Sequence, residues 1–265
     1  MKFEKIRIED IDEAVKLDPK DWSHIGPRLD AYIKLESCLS IKLSDENEIR
    51  GIGTAVSFKS SGWIGHLIVK DGHRGKGYGK AILNYLCDHF FKTGHKTISL
   101  FTTNMGYPMY DKYGFAVQTE YVQYEKTSDK DYIMSSNITN LEAKDYETIL
   151  KMDRLAAGED RSELLLGFVN DGLVYKQNNK ITGFYLKNLG EGILIAETEE
   201  AGEELIKLRM TTRKQATVPI ENNFANSFFS ENKYKKTENV RKMMYGEKIK
   251  GKYENIFNRA GGSYG

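Results

Sequence analysis

Leu67-Ile-Val-Lys-Asp-Gly-His-Arg-Gly-Lys-Gly-Tyr-Gly-Lys-Ala-Ile-Leu83 is the stretch that decides the fold. Its first residues close an apolar, β-branched run from Trp63 to Lys70, which reads as a well-buried strand. Its last residues open a helix with Ile82, Tyr85, Leu86 and Phe90 on one face and Gly94 as its stop. Between them, Gly75, Gly77 and Gly79 can take positive φ and let a ligand come close to the backbone. The turn delivers a helix N-terminus, where free N–H groups and the dipole favour an anion. Arg74, Lys76 and Lys80 add positive charge, so the loop suits a pyrophosphate-like group. A P-loop requires Gly-x-x-x-x-Gly-Lys-Ser/Thr. Gly72 to Gly77 has the first spacing, but Tyr78 stands where the lysine belongs. A dinucleotide fingerprint requires Gly-x-Gly-x-x-Gly and an acid about 20 residues on. Gly75-Lys-Gly77-Tyr-Gly79 has the wrong spacing, and the next strand ends in Thr102-Thr103.

Outward from this core, 265 residues allow one large or two modest domains. Thirty-nine Lys and Arg against 38 Asp and Glu give a net charge of +1, which excludes a nucleic-acid coat and an acidic tail. At 40% hydrophobic residues the chain can build packed cores. Two cysteines, Cys38 and Cys87, cannot form a disulfide scaffold and suit a reducing compartment. Met1 to Arg7 leads into no apolar h-region, and no apolar run approaches the roughly 20 residues of a membrane span. The expectation is a cytoplasmic protein without a membrane or nucleic-acid partner, monomeric or homodimeric. The five histidines lack the Cys or carboxylate neighbours of a zinc site, so no metal is expected. Cys87, mid-helix, reads as a small apolar residue. Lys233-Tyr-Lys-Lys236 and Lys248-Ile-Lys-Gly-Lys252 read as solvated turns.

The first half reads as strand Phe3–Arg7, helix Glu9–Leu17, helix Trp22–Ser37, and a hairpin of Cys38–Leu43 with Ile49–Phe58. The central strand–loop–helix follows, then strand Thr97–Thr102, a short helix Pro108–Tyr113 and strand Phe115–Tyr124. The second half repeats the style. Helices are predicted at Ala143–Ala156, Arg161–Val169, Glu199–Thr211 and Asn223–Ser230. Strands are predicted at Gly172–Lys176, Lys180–Leu186, Gly192–Ala196, Ala216–Ile220 and Asn239–Tyr245. The tail Arg259–Gly265 has no periodicity. The expected organisation is a domain of residues 1–126, a linker of 127–134 and a second, diverged copy over 135–265.

Arg74-Gly-Lys-Gly77-Tyr-Gly79 follows the order Arg/Gln-x-x-Gly-x-Gly/Ala, with Leu67-Ile-Val69 ahead of it and Tyr110-Asp-Lys-Tyr-Gly114-Phe115 behind it. These motifs, in this order, resemble the Gcn5-related N-acetyltransferase (GNAT) superfamily over residues 1–125. The resemblance implies an α/β fold of the α+β kind: two tandem domains, each a mixed, mostly antiparallel sheet flanked by helices. It implies acetyl-CoA as co-substrate. The pantetheine arm would lie along Leu67, Ile68 and Val69, where this strand splays from Thr97–Thr102. The pyrophosphate would sit on the amides of Gly75, Lys76, Gly77, Tyr78, Gly79 and Lys80, beside Arg74. Direct transfer to an unidentified primary amine, more readily a small molecule than a protein, passes through a tetrahedral intermediate whose oxyanion needs a donor.

Two protons must move. Tyr110 occupies the family's general-acid position, and a phenol of pKa about 10 suits donation to a thiolate; the alternative is a core aromatic. Relatives often carry Glu at the start of the strand before the loop, but Trp63 stands there. His66 on that strand is the candidate base, titrating near neutrality, or else a hydrogen-bonded core residue. Asn104 and Tyr107 either bond cofactor or substrate or serve the turn.

Phe229-Ser-Glu-Asn-Lys-Tyr234 aligns with Tyr110-Asp-Lys-Tyr-Gly-Phe115, without the hydroxyl and the glycine. The loop position reads Ile195-Ala-Glu-Thr-Glu-Glu-Ala-Gly202, whose glutamates repel phosphate. Met152-Asp-Arg154, Gly158-Glu-Asp-Arg161 and Arg241-Lys-Met-Met-Tyr-Gly246 are similar to the C-terminal domain of a bacterial two-domain acetyltransferase family. The second domain is expected to have the shape without the cofactor site and to shape the acceptor site. Asp153 and Arg161 either line a substrate cleft between the domains, or are surface charges or an ion pair that supports packing. The alternative to an enzyme is a non-catalytic acyl-CoA sensor, which the missing carboxylate favours and Tyr110 opposes.

Overall fold

The computed structural model describes residues 1–19, 25–46, 48–128 and 132–265. Two units form: Met1–Phe101 with Met244–Glu247 and Gly262–Tyr264, and Thr102–Met243 with Lys248–Gly261 and Gly265. Trp22–His24 of the predicted second helix and residues 129–131 of the predicted linker lie outside the described residues.

In the first unit, β1 (Lys2–Lys5), β2 (Cys38–Asp45), β3 (Glu48–Ser57), β4 (Ser61–Val69) and β5 (Thr97–Thr102) lie side by side in that order. The first three pairings are antiparallel and β4–β5 is parallel. Helix α1 (Ile11–Ala14) and helix α2 (Gly26–Ile33) precede β2, and α3 (Tyr78–Lys92) crosses from β4 to β5. The apolar face of α3 explains three strand glycines. Ile82 and Leu86 press on Gly51 and Gly53 of β3, and Phe90 on Gly62 of β4, leaving no room for a Cβ. Ile82, Leu86 and Phe90 are fully buried, removing the apolar area that holds the helix to the sheet. Cys87 is buried beside them as a small apolar residue.

The second unit holds α4 (Tyr107–Tyr113) and β6 (Ala116–Glu125). It continues through β7 (Ile138–Asn140), α5 (Tyr146–Ala157), α6 (Ser162–Leu166), β8 (Leu173–Gln177), β9 (Lys180–Leu186), β10 (Ile193–Ala196) and α7 (Glu199–Thr212). Then come β11 (Gln215–Pro219), α8 (Asn223–Glu231), β12 (Lys235–Gly246), whose residues from Met244 on count with the first unit, and β13 (Ile256–Asn258). Strands β12, β6 and β11 are neighbours in one sheet, and β13-β10-β9-β8-β7 form another. Tyr124, Leu205, Met210, Phe229 and Phe257 share one core.

From β7 to β12 the strands and α-helices repeat the order of β1 to β6, without a counterpart of the 3-10 turn Val15–Leu17. Local devices repeat with it. Arg7 N donates to Asp10 Oδ2 at 2.9 Å and Glu142 N to Asp145 Oδ2 at 3.2 Å, each opening a short 3-10 turn. Helix α4 ends with Gly114 at φ 109°; Gly114 N donates to Asp111 O and Phe115 N to Tyr110 O, both at 3.0 Å. This is the Schellman pattern, with Phe115 packed edge-on to Tyr110 at 5.9 Å. Helix α8 ends the same way: Lys233 N to Ser230 O at 3.1 Å, Tyr234 N to Phe229 O at 2.9 Å, and Tyr234 edge-on to Phe229 at 5.0 Å. Lys233 holds φ 64° where Gly114 stood. A left-handed L residue costs about 1–2 kcal/mol, partly offset by the entropy a glycine would lose. Lys233→Gly is therefore expected to raise unfolding free energy by about 0.5–1 kcal/mol, read as a higher urea midpoint; a lower midpoint would show that the lysine side chain stabilises the cap.

Several boundaries differ from expectation. Glu9–Leu17 is not one helix but a 3-10 turn (Ile8–Asp10), α1 and a second 3-10 turn (Val15–Leu17). Pro19 accounts for the end, since the residue before a proline is pushed to extended backbone, and Asp18 has ψ 127°. Arg161–Val169 shortens to Ser162–Leu166. Lys235 and Lys236 belong to β12 rather than a turn, and β7 and β13 had no periodic signal long enough to read.

Candidate active site

The first unit holds the loop. Gly72, Gly75 and Gly77 have φ of 74°, 77° and 89°, and a Cβ on any of them would meet nothing within 4 Å. Gly79 differs from expectation: it lies in the first turn of α3, where no left-handed backbone is needed. Gly77 is the residue before α3 and has no side chain to cap it, and the first turn carries no acid. The amides of a 15-residue helix thus open onto a cradle flanked by exposed Arg74, Lys76 and Lys80. Arg74 pairs with Asp71 at 3.3 Å. Tyr78 turns away, donating to Asp45 Oδ2 at 2.8 Å, which leaves its backbone to the loop. Under the loop, Arg50 bonds His73 Nε2 at 2.9 Å and pairs with Glu48, which also holds Lys70.

Strand β4 bulges just before the loop. Ile52 pairs with Ile68 and Thr54 with Gly65, so His66 and Leu67 together face Gly53. The parallel ladder to β5 runs from Ser61–Thr97 to Ile64–Leu100. Beyond the bulge, Ile68 and Val69 pair, among the described residues, with β3 alone. That leaves one backbone edge of Leu67, Ile68 and Val69 facing the opening between β4 and β5. An extended amide-bearing chain fits such an edge by strand-like hydrogen bonding.

His66 does not titrate near neutrality. Burial, with Arg28 nearby, pulls its pKa down to about 4. Its Nδ1 lies 3.0 Å from Ser263 Oγ and its ring leans on Tyr32 at 5.6 Å. It is a hydrogen-bonded interior residue on the bulge, and Ser263, from a tail without periodicity, was invisible in the sequence.

Asn104 and Tyr110 belong to the second unit. Tyr110 is 7% exposed in the last turn of α4, so its motif glycine and phenylalanine have a structural reason: they close the helix and pack on the tyrosine ring. Asn104 is exposed, and its Oδ1 accepts from Arg241 Nη1 at 2.5 Å. Arg241 also lies 3.3 Å from Glu120 and stacks over Tyr107 at 4.9 Å. Asp153 and Arg161 are each 2% exposed and joined by Nε–Oδ2 and Nη2–Oδ1 contacts of 3.0 and 2.9 Å, a buried ion pair rather than a cleft lining.

The second copy is built differently at the matching place. Strand β10 pairs on its free side with β13, Leu194 opposite Asn258 and Ile195 opposite Ile256. Thr217 of β11 bonds the same segment, donating to Asn258 Oδ1 at 2.8 Å and accepting from Arg259 N at 3.0 Å. The opening left between β4 and β5 is here filled by the chain itself. Thr198 caps α7 by accepting from Ala201 N, and Glu199 and Glu200 occupy the first turn. Gly202 lies against Phe257, whose ring would be 2.0 Å from a Cβ. No cluster of three or more His, Cys, Asp or Glu placed to hold a metal occurs among the described residues. No described helix is long and apolar enough to cross a membrane.

A duplicated α+β architecture with an opened strand pair above a glycine loop defines an acyltransferase class. Residues 8–115 match the family described as acetyltransferase (GNAT) family, and residues 149–258 match the acetyltransferase (GNAT) domain. The chain belongs to the GNAT acetyltransferases as a two-domain member. No curated protein matches it. A solved Pyrococcus horikoshii structure assigned provisionally as an acetyltransferase aligns at TM-score 0.81 and 19% identity, over 99% of this chain and 95% of that one. A GCN5-related N-acetyltransferase from Anabaena variabilis aligns at TM-score 0.57 and 12% identity, over 92% and 72%. An Enterococcus faecalis protein of unknown function gives 0.57 and 14%, over 92% and 72%. At these identities the likeness is one of fold.

Proposed function

We propose that this N-acetyltransferase moves the acetyl group of acetyl-CoA directly to a primary amine, more readily that of a small molecule than of a protein, at a single site. The observation that carries the reading is the open cradle of Gly72, Gly75 and Gly77 under the uncapped N-terminus of α3, continuous with the unpaired edge of Leu67–Val69. The diphosphate would be held by the amides of Gly75 to Lys80 with Arg74, Lys76 and Lys80 around it, and the pantetheine by Leu67, Ile68 and Val69. Tyr110 is assigned proton donation to the departing thiolate on its place in Tyr-x-x-x-Gly-Phe. Asn104 is assigned to cofactor binding. No base is assigned, since His66 holds its proton too weakly to take one from an ammonium at pH 7; the amine would arrive neutral or lose its proton to water. No metal is given a part. We place the boundary between the functional domains at 127–134 and the activity in the cytoplasm, as a monomer or homodimer.

A titration of the full chain with acetyl-CoA tests the site count. The first copy offers the open edge and cationic loop; the second fills its edge with β13 and faces its helix with Glu197, Glu199 and Glu200. One acetyl-CoA per chain is expected. Two per chain would show that the second copy kept a site. Release of free thiol from acetyl-CoA across a panel of small amines tests turnover. Binding without release for any amine supports the alternative, a sensor, which the missing base favours.

A further inference from the structure

His66 holds φ 48° at the bulge of β4, a conformation an L side chain rarely adopts unless its surroundings impose it. The surroundings come from the tail. Ser263 Oγ lies 3.0 Å from His66 Nδ1, and Tyr264 stands edge-on to Tyr32, on which His66 leans. Gly65, next to His66, has no Cβ; one placed there would sit 2.0 Å from Ser263 Oγ. Ser263 is 2% exposed, so this contact is part of the packed interior of the first unit. The bulge it meets is the point where the ladder between β4 and β5 stops and the edge of Leu67–Val69 becomes available.

We infer that Ser263 and His66 are positioning residues for acetyl transfer: the tail segment Gly262–Tyr264 locks the left-handed bulge, and the bulge aims the Leu67–Val69 amides at the thioester carbonyl. His66 acts here through its backbone, with its ring as the handle that Ser263 grips. The inference rests on the acetyl-CoA reading above.

Calorimetric titrations with two probes, acetyl-CoA and CoA, separate the two claims, since the probes differ in the thioester carbonyl while sharing the pyrophosphate. The wild type is expected to bind acetyl-CoA about threefold to tenfold more tightly than CoA, the worth of one neutral hydrogen bond. In Ser263→Ala and His66→Ala that ratio falls toward one, while CoA affinity stays within about twofold of wild type. His66→Gly adopts positive φ without help and keeps most of the wild-type ratio. Ser263→Ala deletes one oxygen and carries the test by itself if His66→Ala does not fold. A ratio unchanged in Ser263→Ala overturns the inference and leaves the acetyl-CoA reading standing. So does His66→Gly losing as much as His66→Ala, which would make the ring rather than the backbone the active feature. A wild type that binds neither probe overturns the reading and the inference together.

Discussion

Gly77→Asp is expected to weaken acetyl-CoA binding by at least about a hundredfold. Three effects add. The residue sits at φ 89°, where an L side chain is strained and the loop tends to relax away from its shape. A relaxed loop no longer converges its amides, and each charge-assisted hydrogen bond to phosphate lost costs about 1.5–3 kcal/mol. The new carboxylate faces a diphosphate; two like charges about 4 Å apart repel by about 4 kcal/mol at an effective dielectric of 20, and less where solvent screens the loop. No packed atom lies within 4 Å of the new Cβ, so the fold itself survives. Calorimetry on Gly77→Asp and Gly77→Ala checks this: alanine brings the strain without the charge and should lose less. Affinity in Gly77→Asp within threefold of wild type would remove the loop from the cofactor site.

Tyr110→Phe is expected to lower turnover by about 10²–10⁴-fold with acetyl-CoA affinity nearly unchanged, the range a positioned general acid contributes. Phenylalanine keeps the ring that packs on Phe115, and the backbone bonds from Gly114 and Phe115 to residues 110 and 111 do not involve the hydroxyl. The change therefore removes the hydroxyl and leaves these contacts in place. Single-turnover acetyl transfer to whichever amine the panel identifies is the measurement. Wild-type turnover in this variant would return Tyr110 to a packing role beside Phe115. The matching residue in the second copy, Phe229, stacks on Tyr124 at 4.8 Å and is fully buried, which shows how well the position serves packing without any hydroxyl.

What the chain announces about itself is what short-range physics controls. Glycines at fixed spacing after an apolar strand announced a loop with left-handed residues, and Gly75 and Gly77 have that backbone. Gly94 announced a helix end, because a left-handed residue after the last turn satisfies carbonyls that have no other partner. The internal repeat was legible in the alignment of Phe229-Ser-Glu-Asn-Lys-Tyr234 with Tyr110-Asp-Lys-Tyr-Gly-Phe115, though the missing glycine hid that the helix end is kept.

Tertiary structure alone decided the rest. His66 read as a candidate base or an interior residue; burial, with Arg28 nearby, pulls its pKa down to about 4, and its ring meets Ser263, 197 residues away. Asp153 and Arg161 read as cleft charges, surface charges or a packing ion pair, and burial decided for the closed pair. The glutamates of the second copy suggested a lost phosphate site, but the stronger reason, β13 lying along β10, comes from three residues too few to show a period. Desolvation, strand partners and long-range contacts are properties of the folded neighbourhood, and a residue's identity carries them only once the chain has closed around it.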